Sequence, residues 1–448
     1  MPRKIKKTDI QSRALEKLYR VARNCRMCKS PNLALYLDLG LTPPADQFRA
    51  TDELDLPEIF YPLRVLLCKN CGLSQLSHVV DPRILYQHDY PYEQSTTKTG
   101  QSHWDSFAHS VVSELKLKPK SLVVDIGSNV GTLLGAFKKE GMRVVGVDPA
   151  PNIVSIANKE NGIKTLCDFF GMKSAGKIRR AEGPASVVVG ANVFAHIDDL
   201  DEVIRAVKYL LKKDGVFIFE SPYFQHLVDN LEYDTVYHEH LSYLSLKPLV
   251  PFFARFGLAV FTVKQTDIHG GSFRVFVGRK DAHPIDPSVL KFIRMEESRK
   301  LHSLETMRGF ARRVEKNRQE LIALLEKLLS QGKTVAAVSA PAKGMTLINY
   351  VGLTNRHIRF ISEKARLKVG RVAPGGHAGG YIRVVSDLAL LKNRPDYAIL
   401  LAWNFSKEII DNLKVFSDNG GKFIIPIPKP RIVDAKEYKK NDSQKNKK

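Results

Sequence analysis

Apolar and polar positions fall into a repeating strand–helix rhythm that is clearest from residue 121 onward. Residues 122–126 form a short apolar run interrupted only by Asp125, of buried-strand length and closed by Gly127. Gly127 and Gly131 bracket a tight turn, 133–139 has helical spacing, and a second apolar run, 144–147, ends on Asp148. The rhythm continues with a helix at 152–161 ended by Gly162, a short strand at 163–166, a fourth strand at 185–189, a helix at 201–212 stopped by Asp214-Gly215, and a fifth strand at 216–219. Strands alternating with helices of this length predict a parallel sheet wound on both faces. A helix at 103–115 leads into it. A helix at 246–256 and an antiparallel pair at 258–266 and 271–277 complete it.

Residues 286–330 read as a long helical connector. Beyond it, apolar runs at 334–339, 358–361, 395–402 and 420–427, with a helix starting at 345–350, predict a second α/β unit. At the front, 9–24 reads as a short helix leading in. The predicted organisation is an N-terminal module at 1–85, a doubly wound domain at 86–285, the connector at 286–330, a second α/β domain at 331–432 and a polar, disordered tail at 433–448.

A length of 448 residues suits two or three domains, and 44 % apolar with 26 % charged residues is ordinary for a globular protein. No apolar stretch approaches a membrane span, and the basic start is not followed by an apolar signal core. A cytoplasmic protein with no membrane partner is expected. The net charge of +22 lies partly in the ends, at Arg3, Lys4, Lys6, Lys7 and from 436 onward. No aromatic-and-basic RNA-binding signature accompanies it, so nucleic acid ranks low and an acidic small substrate fits as well. A monomer is favoured.

Four of the five cysteines form two knuckles, Cys25-x-x-Cys28 and Cys68-x-x-Cys71, separated by 39 residues. Each knuckle offers two thiolates to one tetrahedral zinc ion, and Gly72 eases the turn after the second. Two disulfides, or four unrelated thiols, fit the doubled spacing and the expected compartment less well. With four thiolates the site is structural, because no position stays open for chemistry. The long gap implies an inserted loop. Cys167 reads as a packed small hydrophobe.

Spacing around the glycine loop separates cofactors. A dinucleotide pyrophosphate calls for Gly-x-Gly-x-x-Gly, whereas Ser128 fills the second glycine's place here and the acid Asp125 precedes the loop. Such an acid would repel a phosphate and suits a cation or amine. Asp148, about 20 residues past the first glycine, is placed for ribose hydroxyls. A nucleoside with a cationic appendage and no phosphate is S-adenosylmethionine. The pattern resembles the cofactor site of class I methyltransferases, with Asp125, Gly127, Ser128, Asn129, Gly131 and Asp148 around the cofactor. Asp168, after the third strand, is placed for the adenine amine. Asn192 and His196 lie where the fourth strand opens onto the cofactor.

Two further stretches carry unusual side chains. Tyr86, Tyr90 and Tyr92 are interleaved with His88 and Asp89, a pattern that suits oxyanion donors or an aromatic loop between domains. The run from Leu231 to Ser245 packs Tyr237, His238, Glu239, His240 and Tyr243 together. An acid can orient a histidine and raise its basicity, and a tyrosine can donate to an oxyanion. Acid–base chemistry and a plain polar network are equally open at this point. Farther on, Lys343 and Gly344 sit at a helix start, a ready anion site. His377 and Trp403 lie in loops at the same predicted edge.

Taken together, the doubled cysteine knuckles, the methyltransferase core, Tyr237-His-Glu-His240, Ala340-Pro-Ala-Lys-Gly344 and the Pro374-Gly-Gly-His377 loop resemble the sugar C-methyltransferase family over nearly the whole chain. That resemblance implies methylation of carbon 3 of a nucleotide-linked 4-keto-deoxysugar. It implies His240 as general base, Glu239 and Tyr237 as assistants, His196 as a further active-site histidine and Tyr92 lining the pocket. The C-terminal domain would close over the nucleotide sugar, with Lys343, Gly344 and His377 as contacts. The resemblance leaves the basic tail unexplained. Two rival readings are a methyltransferase acting on nitrogen or oxygen of another acceptor, such as RNA, and a non-catalytic nucleoside-binding protein.

Overall fold

A computed structural model describes residues 18–87, 98–266, 271–375 and 380–435. The chain separates into two compact units, each drawn from three stretches. The first takes the chain up to Tyr36, 64–225 and 238–307; the second takes 37–63, 226–237 and the chain from 308 onward. The units therefore do not follow the sequence-order segments one for one. The insert between the cysteine knuckles is largely part of the second unit.

Seven strands form the central sheet of the first unit: β1 Leu122–Ile126, β2 Arg143–Asp148, β3 Thr165–Cys167, β4 Ala185–Ala191, β5 Leu211–Pro222, β6 Leu258–Thr266 and β7 Ser272–Arg279. They lie in the order β3-β2-β1-β4-β5-β7-β6. All neighbours are parallel except β7, which runs antiparallel to β5 and β6. Every residue of β1 is buried, as a central strand covered on both faces requires. The helix Thr132–Lys139 buries Leu133, Leu134, Ala136 and Phe137 against one face. Helix Leu200–Leu210 packs a second apolar stripe with Phe194, Phe217, Phe219 and Phe253 on the other. The order reverses between β1 and β4, so the ligand crevice of such a sheet opens at their carboxyl ends. This is the class I methyltransferase fold.

Three expectations need correction. Cys167 is exposed, not packed, because β3 is the sheet's edge strand and its last side chain has no neighbour on one side. The described part of the supposed leading helix is a strand, Tyr19–Val21, paired antiparallel with His78–Val80. The connector is two helices, Pro287–Ser298 and Leu304–Ser330. Val289 and Phe292 of the first belong to the core of the seven-stranded sheet, and the unit boundary falls inside the second helix.

The second unit holds a six-stranded sheet ordered Val384–Ser386, Ile361–Glu363, Val335–Val338, Tyr397–Leu400, Lys422–Ile425 and Arg431–Val433. The first five are parallel and the last is antiparallel. This too is a doubly wound order, with its reversal between Val335–Val338 and Tyr397–Leu400. The strands at 384–386 and 431–433 have too few apolar residues to stand out in the sequence.

Candidate functional site

At the reversal point of the first unit a pocket of about 540 Å³ opens, with Gly127, Asn129, Asp148, Asn192 and His196 among its lining residues. The loop after β1 is shaped by its own backbone. Gly127 and Gly131 have φ of +65° and +83°, and a side chain on Gly131 would stand 2.9 Å from Ile163. Gly131 caps helix Thr132–Lys139 and its N–H donates to the Ser128 carbonyl. Asp148 uses one oxygen to accept the Asn129 N–H at 2.9 Å and the other to accept the Ala150 N–H at 3.0 Å. The acid that ends β2 thus also shapes the loop that follows β1.

Asp125 is 3 % exposed. Burial, reinforced by the neighbouring Asp148 carboxylate, pushes its carboxyl well above the usual range. Its Oδ1 and the side-chain oxygen of Asn192 have no hydrogen-bond partner among the described residues. Asn192 lines the pocket, and Asp125 is buried directly before Ile126 and Gly127, which line it. Two orphaned acceptors so placed fit a ligand that brings a cation and N–H or O–H donors, and a nearby positive charge would return Asp125 to its carboxylate form. S-adenosylmethionine meets that description. Asp168 does not line the pocket. Its carboxylate is 3.2 Å from Lys177 Nζ, and Phe169 and Phe170 form that wall.

His196 ends a 3₁₀ turn, Phe194–His196, after β4. Its ring centroid lies 4.8 Å from that of His240. Burial lowers its pKa to about 4, so the ring is neutral near pH 7. Its Nδ1 is 3.3 Å from the Tyr86 hydroxyl, while Nε2 has no partner among the described residues. His238, Glu239 and His240 are all buried, and the unit boundary falls just before them, after Tyr237. Tyr92 lies outside the described residues. Tyr86, also in the tyrosine-rich stretch, is the one seen against a site histidine, and spacing alone could not rank the three. Tyr19, Arg20 and Asp198 also line the pocket, and no local sequence signal marks them.

The four knuckle cysteines converge in the first unit. Their sulfurs all lie within 4.8 Å of one another, with Cys25–Cys71 at 3.6 Å and Cys28–Cys68 at 3.5 Å. A zinc–sulfur bond of about 2.3 Å in a tetrahedron sets sulfurs roughly 3.8 Å apart, and a disulfide needs about 2.05 Å. The donor set and spacing fit zinc. Gly72 has φ +87°, and any side chain there would strike the His302 ring.

In the second unit, helix Ala342–Val351 begins at the reversal point of the sheet. Lys343 Nζ lies 3.6 Å from the buried Asp234 and 4.4 Å above the Trp403 ring, whose Nε1–H donates to Asp234 at 2.7 Å. Gly344 is packed so tightly that a Cβ would stand 2.7 Å from Leu401. Its N–H donates to the Pro341 carbonyl. Glu363 accepts the Ala340 N–H at 2.6 Å, repeating in this sheet what Asp148 does in the other. His377 lies outside the described residues.

Comparison with known proteins adds a family to this geometry. Residues 267–428 match the model of a C-methyltransferase C-terminal domain, 25–86 that of a zinc binding domain and 101–263 that of a methyltransferase domain. The chain is 38 % identical over 422 residues to C-methyltransferase NovU of Streptomyces niveus, across 94 % of this chain and 99 % of that one. It is 29 % identical over 108 residues to the ubiquinone biosynthesis O-methyltransferase of Actinobacillus pleuropneumoniae serotype 5b (strain L20), across 22 % of this chain and 44 % of that one. Magnesium protoporphyrin IX methyltransferase from Synechocystis PCC 6803, solved with bound S-adenosylmethionine, aligns at a TM-score of 0.31 and 16 % identity, over 40 % of this chain and 79 % of that one.

Proposed function

This chain belongs to the C-methyltransferase family, and from that premise we propose that its acceptor is a carbon beside the ketone of a nucleotide-linked 4-keto-deoxysugar. The chain is an S-adenosylmethionine-dependent C-methyltransferase, and the cofactor supplies an electrophilic methyl group when bound. Asp125, Gly127, Ser128, Asn129, Gly131, Asp148 and Asn192 would hold it, and Asp168, which pairs with Lys177 off the pocket wall, is not among them.

Carbon is a poor nucleophile until a neighbouring carbonyl lets a base remove its proton. That chemistry needs a base that is neutral near pH 7 and a hydrogen-bond donor for the developing enolate oxygen. His240 is the proposed base, oriented by Glu239, with His196, Tyr237 and Tyr92 as donors around the enolate. Lys343, Gly344 and His377 are the proposed contacts to the nucleotide. An anion at Lys343 would have to share it with Asp234. A diphosphate-bearing substrate would also suit the excess positive charge. The protein is proposed to act in the cytoplasm, as a monomer.

The observation that carries the reading is the close pair of imidazoles, the half-buried His196 and the buried His240, the first of which lines the same pocket as Asn192. The test is a panel of nucleotide 4-keto-sugars in deuterated water, scored by mass for methylation and for deuterium entering beside the ketone. His240→Ala should lose the exchange and keep cofactor affinity. Unchanged turnover in that variant removes the base assignment.

A further inference from the structure

A four-thiolate zinc site usually holds a small module together and does nothing more. Here the side chains around it reach two particular segments of the same unit. Arg26 stands between Cys25 and Cys28 and is 4 % exposed. Its Nε donates to Asp198 Oδ1 at 3.1 Å, two residues past His196, and its Nη1 donates to the Leu76 carbonyl at 3.0 Å. Leu76 in turn donates its N–H to the Leu241 carbonyl at 3.0 Å, directly after His240. Around that bond, Ser74–Leu76 pairs antiparallel with Ser242–Tyr243, Gln75 opposite Ser242. Gln75 closes the circuit: its side chain accepts the Arg26 N–H at 2.8 Å and donates to the Asn24 carbonyl at 3.1 Å.

One guanidinium therefore touches the His196 segment directly and the His240 segment through a single residue, Leu76. A second tie runs beside it. Lys29 and Arg255 both pair with Asp201, at 3.0 and 2.8 Å, and Arg255 also donates to the Met27 carbonyl. Asp201 lies in the first turn of the helix that follows His196. The first knuckle is thus fastened to the loop 196–201, and the strand after the second knuckle to 241–243.

We infer that the zinc module sets the separation of His196 and His240, with Arg26 as the positioning residue. Arg26 touches neither imidazole. It acts by holding the two chain segments that carry them, and zinc acts by fixing the backbone on which Arg26 is mounted. A planar fork with several donors is suited to bridging a carboxylate and a carbonyl at once, which a lysine ammonium does less well.

The inference rests on the proposed roles of the two histidines, so its test needs a readout that does not depend on turnover. Zinc-loaded, full-length Arg26→Met and Asp198→Asn are compared with wild type by imidazole NMR, by deuterium exchange into the acceptor and by thermal melting. The His196 and His240 signals are assigned with single-histidine substitutions. Arg26→Met should move both imidazole signals and lower kcat for exchange roughly tenfold to a hundredfold, with KM little changed, since small misplacements of reacting groups carry penalties of that size. Arg26→Lys should recover part of the rate. Asp198→Asn, at a partly exposed side chain, should move the His196 signal even if Arg26→Met folds poorly. Chelating the zinc under conditions that keep the chain folded should move the same signals. Unmoved signals in folded Arg26→Met, or in folded Asp198→Asn, overturn the inference, as does a loss confined to melting temperature. Failure of His240→Ala to affect exchange overturns the assignment of the base instead, and the imidazole shifts then decide the positioning role by themselves.

Discussion

Asp125 and His196 show how burial prepares a single group for a task. Asp125 is held toward its neutral form by desolvation and by Asp148, and a bound cation reverses that. Asp125→Asn keeps the shape and removes the charge. It should weaken S-adenosylmethionine binding by about 1.5–3 kcal/mol, the usual range for a charge-assisted hydrogen bond, as read by calorimetry. Wild-type affinity should also fall on acidification while the variant stays flat. His196 titrates the other way. Its folded pKa of about 4 lies below the ordinary 6.5, so burying the neutral ring contributes stability above pH 6.5 that is lost as pH falls toward 4. Replacing it with Gln should flatten the melting profile across that window, and equal slopes would contradict a buried neutral ring. Asp125, Asp148 and His196 were legible in the sequence because each lies in or directly after a recognisable strand. Tyr86 and Asp198 were not, since what makes them matter is a neighbour more than a hundred residues away for the first and the first cysteine knuckle for the second.

At the level of elements, the turn after β1 depends on backbone that only glycine adopts freely. Gly131→Ala forces a left-handed residue to carry a side chain and drives it against Ile163. A loss of about 1–3 kcal/mol in unfolding free energy is expected, together with weaker cofactor binding; denaturant melts and calorimetry read the two effects. The short turn Tyr233–Thr235 of the second unit offers a pH test. Glu232 is buried beside it, and burial raises its pKa to about 7, with Lys343 opposing and Asp234 adding to the shift. A carboxyl with a raised folded pKa contributes stability below its ordinary pKa of 4.5, and that contribution is lost as pH rises through 7. Glu232→Gln should therefore be more stable than wild type at pH 8, by on the order of 1–3 kcal/mol, and should lose that advantage at pH 4. The long elements were legible because their apolar runs exceed the noise of composition. The three-residue strands 384–386 and 431–433 have no such run, and only their partners make them strands.

For the molecule as a whole, the zinc module is a load shared by much of the first unit. Cys68→Ser should abolish zinc binding, measured by elemental analysis, and lower the melting temperature, because a structural zinc site contributes folding energy outright. Full zinc retention in that variant would contradict the four-thiolate site. A saturating cofactor should raise the melting temperature in calorimetry, because it binds the folded chain and not the unfolded one.

Local chemistry in the chain was enough to determine the doubly wound core, the glycine loop with its two acids, the doubled cysteine knuckles and the existence of a second α/β unit. Each is written in residues close together, where apolar period, turn geometry and ligand spacing act over a few positions. Tertiary structure decided the rest: that residues 37–63 leave the knuckles for the second unit, that an edge strand exposes Cys167, and that a guanidinium between two cysteines spans the segments of two distant histidines. Those outcomes depend on which surfaces meet when the apolar faces are buried, and no short stretch of sequence carries that information.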